Sequence, residues 1–232
     1  MQRVKVCCIG SSEEAALAIR CGASAFGLVS EMPSGPGVIS EAEIAARIPP
    51  PIASVLLTSR TDPAEVIAQQ RRCGVNALQL CDRLPRGAHQ TIRRALPGVS
   101  LIQVVHVKDA ASVEEAQTLS REVDAILLDS GNPSLRVKEL GGTGRTHDWS
   151  LSAEIVKRSH APVFLAGGLN PENVRRAIVQ VQPFGLDICT GVRTAGALDE
   201  ARLGAFMEAV GRCQSLGRRN SGRASMTRTR PA

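Results

Sequence analysis

Aromatic residues make up only 2% of this 232-residue chain: four Phe, one Trp and no Tyr. Its core must be built from aliphatic and small side chains, and a ligand site of stacked rings is not expected. No apolar run approaches the length of a membrane span. The opening MQRVKVCC has no apolar segment of the kind that begins a signal peptide. These absences predict a soluble, cytoplasmic protein with no membrane partner. The seven cysteines (7, 8, 21, 73, 81, 189 and 213) are odd in number and irregularly spaced, a pattern of free thiols rather than a disulfide framework. No set of Cys and His has zinc-ligand spacing, and no glycine fingerprint links a strand to a helix in the way a dinucleotide requires.

The net charge of +6 is unevenly distributed. Residues 214–232 carry five arginines (218, 219, 223, 228 and 230) and no acid, so the tail accounts for all but one unit of the excess. A Ser/Gly/Arg composition of this kind predicts a disordered, solvated terminus rather than a specific nucleic-acid partner.

Eight apolar segments recur along the body: 3–9, 25–30, 53–58, 76–80, 100–105, 124–129, 162–166 and 185–189. Most are continuous rather than alternating, as in strands covered on both faces. Amphipathic stretches at 11–22, 62–74 and 170–181 lie between them, with Gly22 and Gly74 at helix stops and Asn170-Pro171 at a helix start. Eight strand–helix units predict an α/β fold, a single-domain (β/α)8 barrel over residues 1–213 followed by the basic tail 214–232.

In such a barrel the last residues of the strands face the active-site mouth. KVCC (5–8) brings Cys7 there and AILLD (125–129) brings Asp129. A thiol and a carboxyl so placed suit an isomerase that moves a proton from carbon and gives one to oxygen. The alternative is a small buried cysteine and a helix-capping aspartate. Cys7 and Cys8, adjacent in an apolar run, should point to opposite faces of their strand. Glycine clusters at 141–144, 166–168 and 190–192 follow the late strands, two of them at the strand ends where barrels hold phosphate.

With these motifs on view, the chain resembles the phosphoribosylanthranilate isomerases of tryptophan biosynthesis over residues 3–210. The resemblance rests on VKVC (4–7), GASAFGLV (22–29), LLDS (127–130), GGTGRTHDW (141–149), AGGLNPENV (166–174) and LDICTGV (186–192). It implies an Amadori rearrangement of an N-linked phosphoribosyl amine, without metal or cofactor. By position, Asp129 is then the general acid at the furanose oxygen and Cys7 the general base at C2′, its thiol made readily deprotonated by Lys5 and the loop dipoles. Gly144, Gly167, Gly168, Thr190 and Gly191 would hold the phosphate and Asp187 the sugar hydroxyls, with Lys5, Cys81, His147 and Arg193 also placed at the substrate. The ligand is a small phosphosugar, and family members occur as monomers or homodimers.

The chain departs from the family's pattern at several positions. Gly37 stands where the family has the arginine that grips the anthranilate carboxylate, Cys81 where it has His, Arg193 where it has Glu, His147 where it has Phe, and Cys8 where it has Gly. Either Arg193, Arg145 or His147 takes over the carboxylate, or the substrate is a different phosphorylated amino-sugar, or the barrel binds a phosphosugar without turning it over. Of the remaining candidates, His106 reads as a surface or supporting residue, Trp149 as packing, Asp148 as a helix cap, and Cys73 and Cys189 as small core residues. His89 and His160 are placed on helices without a functional signal.

Overall fold

In the computed structural model, residues 2–33, 48–131, 140, 144 and 146–223 are described, with side chains through Cys213. Eight parallel strands close into a barrel in sequence order. They are β1 (Arg3–Val6), β2 (Ala25–Val29), β3 (Ala53–Thr58), β4 (Ala77–Leu80), β5 (Ser100–His106), β6 (Ala125–Asp129), β7 (Val163–Leu165) and β8 (Gly185–Ile188). Closure comes from β1 and β8, paired from Arg3 opposite Gly185 to Val6 opposite Ile188.

Helices α1 (Ser12–Arg20), α2 (Pro63–Cys73), α3 (Ala88–Ala95), α4 (Ala111–Leu119), α5 (Trp149–Arg158), α6 (Val174–Val181) and α7 (Glu200–Arg223) surround the strands. The segment between β2 and β3 lies mostly outside the described residues, and with it Gly37. The same holds for residues 132–139, 141–143, Arg145 and 224–232. Among the described residues no helix is long and apolar enough to cross a membrane.

The continuous apolar strands are explained by burial on both faces: every residue of β4, β6 and β8 is buried. Val6, Leu28, Leu56, Leu78, Ile126 and Leu128 face the helices. Their neighbours Val55, Leu57, Ala77, Ile102, Val104 and Leu127 fill the barrel interior with Cys7 and Cys81. The scarcity of aromatic residues is therefore met by aliphatic layers.

Helix ends follow local chemistry. Ser11 caps α1 by accepting from the Glu14 N–H, Asp62 caps α2, and Gly74 closes α2 in the left-handed region at φ 66°. Asp148 caps α5 as expected, and Trp149 packs at its first turn. The sixth helix starts later than the sequence suggests. Asn170 does act as a cap, accepting from the N–H groups of Glu172 and Asn173, but it closes a turn and α6 begins only at Val174.

Candidate active site

A cavity of about 900 Å³, open to solvent, lies at the C-terminal ends of the strands. Cys7 and Asp129 both line it, from β1 and β6, together with Asp187 and Thr190 of the β8 end and Gly167 and Gly168 after β7. The opposite wall is apolar, formed by Val29, Met32, Leu57 and Leu140, with Gln79 and Cys81 from β4 between.

The two cysteines of β1 do not alternate. The strand ends at Val6 and Cys8 takes a left-handed backbone, φ 61°, so Cys7 and Cys8 face the same cavity. That conformation costs a non-glycine residue about 1–2 kcal/mol, consistent with glycine at this position in the resembled family. Cys189 is likewise no core residue: it is half-buried and lines the cavity, with its Sγ 2.9 Å from that of Cys8. Cys7 and Cys8 sulfurs are 3.9 Å apart.

The three thiols set each other's protonation. The neighbouring Cys7 and Cys8 thiols draw Cys189 down to about 4 against its burial, with the Arg193 guanidinium helping. Cys7 is pushed above its ordinary value by the Cys189 sulfur, with burial adding. The Cys8 hydrogen bond and the Lys5 ammonium oppose this without reversing it. Lys5 therefore does not bring Cys7 below its ordinary value.

Lys5 is displaced from its expected role at the substrate. Its ammonium is fully buried beneath the cavity and donates to Asp187 Oδ1 at 2.9 Å. Burial works to lower it, but the Asp187 charge, helped by the nearby thiols, holds it above the ordinary lysine value. Asp187 does reach the cavity, where burial raises its carboxyl to about 7 despite the lysine beside it. Asp129 is also raised by burial, opposed by the Ser130 N–H that donates to its Oδ1 at 2.7 Å and by His106. A carboxyl raised in this way suits a proton donor.

Neither described substitute for the missing arginine carries charge into the cavity. Arg193 forms a fork with Glu14, at 2.8 and 3.0 Å, and donates to the Cys8 carbonyl at 2.5 Å. It does not line the cavity; it ties the loop carrying Cys7 and Cys8 to α1. His147 gives or takes a hydrogen bond with Ser152 Oγ at 2.7 Å, and burial lowers its imidazole to about 4, so it is neutral. Its Nδ1 is buried without a partner behind Gly167. Arg145 lies outside the described residues.

The phosphate candidates divide. Gly144, Gly167, Gly168 and Thr190 line the cavity, and Gly167 and Gly168 follow one another at φ 78° and 61°. Such backbone is open to glycine without strain and lies at a strand end where parallel barrels hold phosphate. Gly191 instead sits behind the wall, where any side chain would collide with the Leu169 carbonyl. His106 supports β4 by bonding the Cys81 carbonyl at 3.2 Å, and His89 bridges Glu122 and Gln103.

Gly27 on β2 holds the space for the Cys7 sulfur. A Cβ there would lie 2.7 Å from Cys7 Sγ and 3.0 Å from Lys5 Nζ. Gly27→Ala is expected to keep the fold, with circular dichroism unchanged, while moving that sulfur and lowering kcat/KM by about 10²-fold. Parental kinetics in the variant would show that the sulfur's position is unimportant.

A closed parallel barrel with a carboxyl, three thiols and a glycine pair lining one mouth places the chain in the class of (β/α)8 barrels. Within that class the chain belongs to the N-(5'-phosphoribosyl)anthranilate isomerase family, whose model matches residues 4–209. It is 35% identical over 206 residues to the N-(5'-phosphoribosyl)anthranilate isomerase of Methanocella arvoryzae, covering 88% of this chain and 94% of the relative. A phosphoribosyl anthranilate isomerase solved with reduced 1-(o-carboxyphenylamino)-1-deoxyribulose 5-phosphate superposes with a TM-score of 0.74 at 30% identity, covering 91% and 100% of the two chains. Monomers of the dimeric enzyme from Thermotoga maritima give a TM-score of 0.71 at 29% identity, covering 91% and 99%.

Proposed function

We propose that this protein isomerises N-(5-phosphoribosyl)anthranilate to 1-(2-carboxyphenylamino)-1-deoxyribulose 5-phosphate in the cytoplasm, as a monomer or homodimer. The observation carrying the reading is the placement of Cys7, Asp129 and the Gly167–Gly168 pair on one cavity. With the phosphate at the glycine pair and against Thr190, the pentose spans the mouth. Asp129 gives its proton to the ring oxygen, the C1′–O bond breaks, and the anilino nitrogen's lone pair forms the iminium. Cys7 then takes the C2′ proton as the electrons move to the nitrogen, and the enolamine relaxes to the ketone. Asp187 is available to the sugar hydroxyls.

The aromatic ring fits the apolar wall of Val29, Met32, Leu57 and Leu140. Beside that wall is Gln79, whose Oε1 is buried without a partner among the described residues, and that oxygen is available to accept from the anilino N–H. The arginine-rich end takes no part in the reaction and has no specific nucleic-acid partner in this reading. The full chain expressed in a tryptophan auxotroph lacking this isomerase is expected to restore growth on minimal medium. Failure to grow, with the protein present at normal levels, would overturn the assignment.

A further inference from the structure

Cys8 and Cys189 meet at the tops of the two strands that close the barrel. Val6 lies opposite Ile188, and the Cys7 N–H donates to the Ile188 carbonyl at 2.8 Å, so the chain leaves both strands in step. Neighbouring strands lie about 4.8 Å apart, within the Cα separation of about 4.4–6.8 Å that a disulfide spans. The left-handed backbone at Cys8 turns its sulfur toward β8, where it sits 2.9 Å from Cys189 Sγ.

Both side chains are half-buried and line the open cavity, so a small oxidant reaches them. The other close pair, Cys7 and Cys8, is adjacent in sequence, and bridging it would force strained disulfide geometry. Among the described residues no group of three or more His, Cys, Asp or Glu could hold a metal ion.

We propose that Cys8 and Cys189 are a reversible oxidation site, joined by a small hydroperoxide into an intramolecular disulfide that switches off the barrel's active site. In the first step a Cys189 thiolate attacks one oxygen of hydrogen peroxide. The O–O bond breaks, hydroxide leaves and becomes water, and Cys189 is oxidised to the sulfenic acid. Cys8, giving up its proton, then attacks that sulfur; the S–O bond breaks and a second water leaves as the S–S bond forms. Two thiols have been oxidised by two electrons and one peroxide reduced to two waters. The depressed protonation of Cys189 fits the role of first attacker. The bond fixes the loop carrying Cys7, which lines the same cavity. This loss of activity rests on the isomerase reading; the bond itself does not.

The test uses the reduced full-length protein treated with hydrogen peroxide, alkylated, digested and mapped by mass spectrometry without reduction. The expected product is a Cys8–Cys189 linked peptide pair two hydrogens lighter than the separate peptides. At least a tenfold loss of activity should accompany it and be recovered with dithiothreitol. Cys8→Gly and Cys8→Ser should each lose both the cross-link and the recoverable part of the inactivation. The proposal is overturned if the parent protein forms no Cys8–Cys189 link, if the linked protein keeps full activity, or if both variants retain the recoverable loss. The mass readout decides the bond even if the protein turns over no phosphoribosylanthranilate, so failure of the functional reading would be seen separately.

Discussion

Cys7→Ser should lower kcat/KM for phosphoribosylanthranilate by about 10²–10⁴-fold, equivalent to about 3–5 kcal/mol of transition-state stabilisation. The serine hydroxyl fills nearly the same space. What it cannot do is become an anion at a pH where Cys7 can. Cys7 is buried inside the barrel layer and its sulfur is hemmed in by Gly27 and Lys5, so the smaller atom fits without strain. Thermal stability should change by no more than about 1 kcal/mol, in the range of a near-isosteric exchange. Since KM in this reading reflects phosphate and ring contacts remote from the sulfur, the loss should fall on kcat. Steady-state kinetics alongside a thermal melt separate the outcomes. A variant as fast as the parent removes Cys7 from the mechanism, and one that loses rate and stability together makes it a packing residue.

The barrel itself was legible because two-sided burial leaves a plain mark: continuous aliphatic runs of strand length, spaced by amphipathic helices. The third strand, 53–58, matches its expected limits, and the other strands differ by one to three residues at an end. Cys7, Asp129, Asp187, Cys81 and the glycines after β7 were legible because strand ends in a parallel barrel must face the mouth. Side-chain partnerships were not. Lys5 and Asp187 lie 182 positions apart and Arg193 and Glu14 lie 179 apart. No local pattern encodes which cation is consumed by which acid, so Lys5 and Arg193 were placed at the ligand when each was already paired.

Cys8 and Cys189 were missed for a different reason. Alternation within a strand assigned Cys8 to the outer face, but the strand stops one residue before Cys7, and a single left-handed residue reverses the expected direction. The available signal was the substitution of Cys8 for the family's glycine. A glycine there implies a positive φ, and a side chain put in its place is carried on that backbone. Gln79 gave no such signal, since a polar residue inside an apolar strand is visible while its lack of a partner is not.

Asp129→Asn should show the opposite relation between rate and stability, and that makes it the sharper test. Burial raises the Asp129 carboxyl above its ordinary 3.8, so between the unfolded and folded pKa values the native state binds more protons than the unfolded chain. The stability from this site is complete below the unfolded value and is lost as pH rises through the folded one. At neutral pH a buried carboxylate is therefore a liability that asparagine does not share. The amide oxygen can still accept from the Ser130 N–H that now reaches Asp129 at 2.7 Å. The variant should consequently melt at the parent's temperature or above it at pH 7–8, with that advantage shrinking as pH falls toward 4. Its turnover should drop by about 10²–10⁴-fold, because an amide has no proton to give the ring oxygen. Melts across that pH range, paired with kcat, decide the matter. If the asparagine variant is both slow and less stable at pH 7–8, the carboxylate is holding the β6 end together and the proton donor must be sought elsewhere in the cavity. If it is stable and slow, the burial that weakens the fold at Asp129 is what keeps a proton available for the reaction.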